Sequence, residues 1–108
     1  SALLSDQSGR VLEVVRYVIP EADRDAFLRA MKEVRRVRLR NGAIAWRLLE
    51  DVAHPERWIE LWAVENWTEH LREETRMGEH DRAAIAAAAA FHRGEAPAEA
   101  ARFLTRLR

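Results

Sequence analysis

The stretch Arg10-Val11-Leu12-Glu13-Val14-Val15-Arg16-Tyr17-Val18-Ile19, stopped by Pro20, decides how the chain is read. Valine dominates it, and β-branched side chains pack well on a pleated surface, so it is a predicted strand. Successive side chains of a strand point to opposite faces. Val11, Val15, Tyr17 and Ile19 therefore share one face, and Leu12, Val14 and Val18 share the other. A sheet covered on one side alternates apolar with polar residues, whereas this strand is apolar on both. The run Arg57 to Glu65 repeats the pattern, with Trp58, Trp62 and Val64 opposing Ile59, Leu61 and Ala63. One face is expected to pack on helices of the same chain. No remaining segment supplies a cover for the other, so a second copy of the chain is expected there. Burying Trp58 or Trp62 is worth roughly 2–3 kcal/mol each, which favours a sheet-to-sheet homodimer. The charged exceptions Glu13, Arg16, Arg47 and Glu60 are expected to pair across the sheet or across that interface.

Between these strands, residues 23–40 place Phe27, Ala30, Met31, Val34 and Val37 at helical spacing, with Arg24, Lys32, Glu33, Arg36 and Arg40 elsewhere. Glu21, Asp23 and Asp25 near the start, and Arg35, Arg36, Arg38 and Arg40 near the end, oppose the helix dipole. Asn41-Gly42 supplies a left-handed stop. Strands over 43–51 and 57–65 flank a His54-Pro55-Glu56 turn and pair as a hairpin. Asn66 caps the next helix, with Glu69 at its third position. Gly78 interrupts, and an alanine-rich helix over 79–93 ends at Gly94. In the tail, Phe103, Thr105 and Leu107 alternate as in a fourth strand, although its Ala and Arg content also suits a helix. The order strand, helix, strand, strand, helical region, strand is the α+β, ferredoxin-like plan: an antiparallel sheet with helices on one face, doubled into a dimeric α+β barrel. Residues 1–9 are a predicted flexible lead, and residues 10–108 a single domain.

Composition narrows the chemistry. The 108 residues are 48% hydrophobic and 33% charged with zero net charge, the profile of a globular domain with no call for a polyanionic partner. The acidic Glu65, Glu69, Glu73 and Glu74 argue further against nucleic acid. Cysteine is absent, which removes disulfides, thiolate chemistry and sulfur ligation of zinc. The longest apolar run, Ala83 to Phe91, falls far short of the ~20 residues of a membrane span. With no initiator Met and no signal-peptide pattern, the chain is expected to lie within a longer parent or to follow processing. His54, His70, His80 and His92 lack metal-ligand spacing, so neither a metal nor a cofactor is expected. His54 belongs to a solvated turn, and His80 and His92 to helix ends. His70 shares a helix face with Trp67, Leu71 and Glu74, which puts an imidazole beside the core as a hydrogen-bonded boundary residue or as a proton-transfer group. The tryptophans suit core or interface packing. They equally suit a hydrophobic ligand pocket between sheet and helices, for which Trp46, Trp62, Trp67 and His70 are the candidate residues. No glycine-rich phosphate loop and no hydrolase-like nucleophile context is present.

Several strings support a comparison: Arg35-Arg36-x-Arg38; Gly42-Ala43-x-x-Trp46-x-Leu48-x-x-Asp51; Pro55-x-Arg57; Glu60; Val64-Glu65-x-Trp67-x-Glu69-His70-Leu71-Arg72; Asp81-Arg82; and Phe91-His92-x-Gly94. From about Arg10 onward the chain resembles the soluble C-terminal domain of bacterial major facilitator transporters of the transmembrane secretion effector, or enterobactin-exporter-like, family. The resemblance implies a non-catalytic accessory or regulatory domain. It would be dimeric, cytoplasmic, attached to a membrane-embedded transporter portion of the same parent chain, and a possible receptor for a hydrophobic small molecule. The fold also resembles that of the antibiotic biosynthesis monooxygenases. That implies the alternative of a cofactor-independent oxygenase of quinol or polycyclic aromatic substrates, with His70 as its acid–base residue. The haem-degrading relatives use an asparagine in the first strand and a Trp-to-His spacing in a later helix; this chain carries neither.

Overall fold

The computed structural model describes residues 9–107, so residues 1–8 of the expected lead over 1–9 lie outside the described residues. Four strands, β1 (Val11–Val18), β2 (Ala45–Glu50), β3 (Arg57–Val64) and β4 (Ala101–Leu104), form one antiparallel sheet in the order β2-β3-β1-β4. Three helices accompany them: α1 (Arg24–Arg40), α2 (Trp67–Arg76) and α3 (Glu79–Ala89). This is the ferredoxin-like α+β plan, and the ambiguous tail resolves as an edge strand, Leu12 pairing with Phe103 and Val14 with Ala101.

Local chemistry sets the element ends. Asn66 Oδ1 accepts the backbone N–H of Glu69 at 3.0 Å and so caps α2. Gly42, at φ +112°, takes the left-handed position after α1, while Asn41 does not. Asn41 instead donates its amide to Val37 O at 2.8 Å and to Asp81 Oδ2 at 3.0 Å, and Arg40 also pairs with Asp81. The end of α1 is thereby tied to the start of α3, and Asn41 and then Arg40 hold the Asp81 carboxyl below its ordinary range. Helix α3 ends at Ala89 rather than near Arg93, because β1 captures the following residues. His92 Nδ1 accepts the Val18 N–H at 2.9 Å, and the Arg93 N–H donates to Val18 O at 2.8 Å. Gly94 lies against the His92 ring, where an added Cβ would fall 2.5 Å from Cε1.

The covered face of the sheet carries Val11, Val15, Tyr17, Trp58, Trp62 and Val64, all buried against Phe27, Met31 and Val34 of α1 and Ala88 of α3. Phe27 sits centrally, edge-on to Tyr17 at 5.1 Å and to Trp58 at 5.7 Å. The opposite face carries Leu12, Val14, Ile59, Leu61, Leu49 and Phe103, of which Leu12, Leu49 and Phe103 are 37–49% exposed. The two-faced reading of β1 and β3 therefore describes the sheet correctly. The tryptophans, however, lie inside their own chain and add nothing to the open face. Glu13 and Glu60 likewise turn inward to groups on the helices and on other strands of the covered face, and Arg16 and Arg47 are exposed.

Trp62 is 2% exposed and lies under the Arg38 guanidinium, 3.8 Å from the ring centroid. Trp62→Arg would press a second cation onto Arg38 in the core, so a loss of at least about 3–5 kcal/mol is expected, enough to abolish a cooperative melt. A melting temperature equal to that of the wild type would contradict this placement.

Candidate functional site

The interior contains a line of charged and polar side chains, each in phase with an apolar pattern. On β1 and β3, Glu13 and Glu60 occupy inward positions of the two-residue period, between Val11 and Val15 and between Trp58 and Trp62. On α1 the buried stripe Phe27, Met31, Val34 continues at Arg38, which is 6% exposed. On α2 the buried residues are His70 and Glu73, three apart and so on one face.

At one pole, Glu60 is fully buried and accepts from three side chains. Arg38 donates through Nε at 2.9 Å and Nη2 at 3.3 Å, Trp46 Nε1 donates at 2.9 Å, and the Tyr17 hydroxyl donates at 3.1 Å. A buried ion pair is tolerated when its remaining hydrogen-bonding capacity is met in this way. Burial first, and then the Glu60 charge, push the Tyr17 phenol well above its ordinary range, so it remains a donor.

Trp62 links this pole to a second, where its Nε1 donates to Glu73 Oε2 at 3.2 Å. Around Glu73 stand Glu13 from β1 and His70 from α2, with His70 Nδ1 3.3 Å from Glu13 Oε1 and 3.7 Å from Glu73 Oε1. Arg102 of β4 flanks Glu13, its Nε 3.4 Å from Oε1. Glu13 Oε2 and His70 Nδ1 are buried without a hydrogen-bond partner among the described residues. A cleft of about 350 Å³, lined by Glu13, Trp62, Glu73, Met77, Arg82 and Arg102 among others, opens onto this pole.

Of the four candidate ligand residues, Trp46 and Trp62 sit at different poles, each with its indole N–H given to a carboxylate. Trp67 packs against His70 with ring centroids 4.8 Å apart and the planes tilted by 44°. His70 is 2% exposed, deeper than a boundary position, while Leu71 at 48% and Glu74 turn to solvent, which corrects their placement on the inner face. Spacing along the chain gave no hint that His70 would meet Glu13, because β1 and α2 lie far apart in sequence. The available signal was the in-phase charge, an acidic residue where the strand period demanded an apolar one. Arg38 was legible in the same way, being in register with Phe27, Met31 and Val34 rather than serving only the helix dipole.

Burial first, and then the adjacent Glu13 carboxylate, push Glu73 from 4.5 up to about 8. The groups facing it are Glu13 from β1, Trp62 from β3, Arg38 from α1 and His70 from its own helix, with Arg102 of β4 beyond Glu13. The unfolded chain ionises this group near its ordinary value, whereas the folded chain keeps the proton up to about 8. The stability from this group is therefore fully present below the ordinary value and declines as pH rises through 8. Glu73→Gln should flatten that decline in urea midpoints compared at pH ~5 and ~9; an unchanged slope would remove Glu73 as its source.

Comparison with solved structures places this geometry on a known scaffold. A conserved protein from Methanosarcina mazei Go1 superposes with a TM-score of 0.71 at 11% identity, covering 100% of both chains. A Bordetella bronchiseptica protein classed with the antibiotic biosynthesis monooxygenases gives 0.71 at 14% identity, over 92% of this chain and 99% of its own. A variant of SnoaB, a cofactor-independent oxygenase from Streptomyces nogalater, gives 0.68 at 14% identity, over 92% and 93%. At these identities the likeness is one of fold alone. No curated protein matches the sequence. The family model described as transmembrane secretion effector matches residues 1–108, the whole chain, and the protein belongs to that family.

Proposed function

We propose that this chain is a non-catalytic accessory domain of a membrane exporter, joined to a membrane-embedded portion in a longer parent and lying on the cytoplasmic side, where it pairs with its twin. Among the described residues no helix is long and apolar enough to cross a membrane. The observation that carries the pairing is the uncovered apolar sheet face. Leu12, Val14, Ile59 and Leu61 lie side by side across β1 and β3 on the face away from the helices, Leu12 exposed and the other three half-buried. A two-fold axis through that face would bury the same residues on both copies, which needs no second kind of surface. At one end of the sheet a groove of about 500 Å³ is lined by Val18, Leu49 and Ile59 of the open face and by the edge of Trp58 from the covered one, with Arg16, Arg57, Glu50 and Asp51 at its rim. This is the place for a hydrophobic small molecule, at the margin of the paired sheets.

A second reading, a cofactor-independent oxygenase, draws support from the shared fold of SnoaB and from the Glu13, His70 and Glu73 cluster beside its cleft. A carboxyl raised to about 8 suits proton transfer near neutral pH. Against it stand the interior donors, since Tyr17, Trp46 and Trp62 are all committed to carboxylates of the chain itself.

Leu61→Glu separates association from folding. Arg47 lies directly opposite on β2 and offers the new carboxylate a partner within one chain, so the monomer should keep its melt. Sedimentation velocity is expected to show a wild-type dimer at micromolar concentration and a Leu61→Glu monomer. A folded wild-type monomer would sink the pairing, and His70-dependent oxygen uptake over a quinol panel would replace the accessory reading with the enzymatic one.

A further inference from the structure

The pole formed by Glu13, His70 and Glu73 has a property that neither pairing nor export explains. Three side chains with metal-ligating atoms, all buried, bring those atoms within 4.8 Å of one another. Two of the atoms, Glu13 Oε2 and His70 Nδ1, are nonetheless unpartnered in the interior. Leaving such groups unsatisfied costs about 1–3 kcal/mol each, so native proteins rarely do so without a ligand or a bridging molecule. His70 Nδ1 approaches Glu13 Oε1 to 3.3 Å, yet the two are not aligned as a hydrogen bond.

We propose that Glu13, His70 and Glu73 bind one divalent first-row transition-metal cation of the kind that takes mixed imidazole and carboxylate ligands, such as Zn²⁺, Mn²⁺ or Fe²⁺. The distances fit. With metal–ligand bonds of about 2.1 Å, neighbouring ligand atoms lie about 3.0 Å apart in an octahedral site and about 3.4 Å apart in a tetrahedral one. His70 Nδ1 lies 3.3 Å from Glu13 Oε1 and 3.7 Å from Glu73 Oε1, with all three ligand atoms within 4.8 Å of one another, so closure onto a cation draws the two carboxylates inward. The two ligands on α2 stand at i and i+3, a spacing by which helical bundles aim two metal ligands inward.

Outer groups stand behind Glu73 and His70. Trp62 Nε1 holds Glu73 by Oε2 and leaves Oε1 towards the imidazole. Glu74 Oε1 lies 3.7 Å from His70 Nε2, on the side away from the site, and Trp67 packs against the ring. Carboxylates behind a ligating imidazole, and donors behind ligating carboxylates, orient the ligands and raise affinity. The cleft that reaches Glu13 and Glu73 provides a route from solvent, and Arg102, 40% exposed at its side chain, stands at its edge as a competing cation.

Titration of the metal-free 108-residue chain with Co²⁺, followed by visible d–d absorption and by the melting temperature, tests this assignment. One Co²⁺ per chain is expected, with a raised melting temperature, and with binding weakened at least about tenfold in Glu13→Gln and in His70→Gln. His54→Ala and His80→Ala should bind as the wild type does. Arg102→Gln, at a half-exposed position that should fold, is expected to tighten binding several-fold by removing the competing charge. The assignment is overturned if the wild type takes up no stoichiometric Co²⁺, if both ligand variants bind as tightly as it does, or, should those variants not fold, if Arg102→Gln leaves the affinity unchanged. The first of these outcomes would leave an ordered water as the filler of the site, and none of them bears on the dimer or the exporter reading.

Discussion

The ion pair between Arg38 and Glu60 organises the rest of the interior. Both side chains are within 7% of full burial, and the desolvation of two charges is repaid only where geometry and further hydrogen bonds are good. Here the guanidinium makes two contacts with the carboxylate and lies over the Trp62 ring, while Tyr17 and Trp46 complete the acceptor capacity of Glu60. These contacts fasten α1 to β3, draw in β1 through Tyr17 and β2 through Trp46, and so fix how the helix layer sits on the sheet. Removing either partner would strand the other in the core, at a cost of about 3–5 kcal/mol.

This arrangement shapes what the domain can do. On the related scaffold of SnoaB the same fold supports an oxygenase, but here the aromatic donors of the interior are engaged with Glu60 and Glu73. The apolar surface that remains unsatisfied lies on the other side of the sheet. A structure whose buried polar groups are largely partnered within the chain, and whose open sheet face is apolar, is suited to association. That agrees with membership of a transporter-linked family. The exception is the second pole, where saturation is incomplete at Glu13 and His70.

Much of this was legible in the sequence. The two-residue period of Val11 to Val18 and of Trp58 to Val64 fixed both faces of the sheet, because a strand has only two. Phe27, Met31 and Val34 fixed the face of α1, and Asn66 with Glu69 fixed the start of α2. What escaped was the partnership of residues distant in the chain. Arg38 falls in phase with the buried stripe of α1 and Glu60 is expected to pair across the sheet or the interface, yet only the packing brings the two together. Asp81 reads as an ordinary first-turn acid, yet it binds Arg40 and Asn41 some forty residues earlier. His92 reads as a helix-terminal residue, yet it fastens the chain to Val18. Periodicity tells which way a side chain points, whereas the identity of what it meets is a property of the tertiary fold.

In the proposed assembly the open sheet face lies against its twin. Isotope-filtered NMR on a mixture of labelled and unlabelled chains examines that contact atom by atom. Intermolecular contacts to the methyl groups of Leu12, Val14, Ile59 and Leu61 are the predicted result. Intermolecular contacts confined to the helices, or a folded chain with none at all, would contradict it.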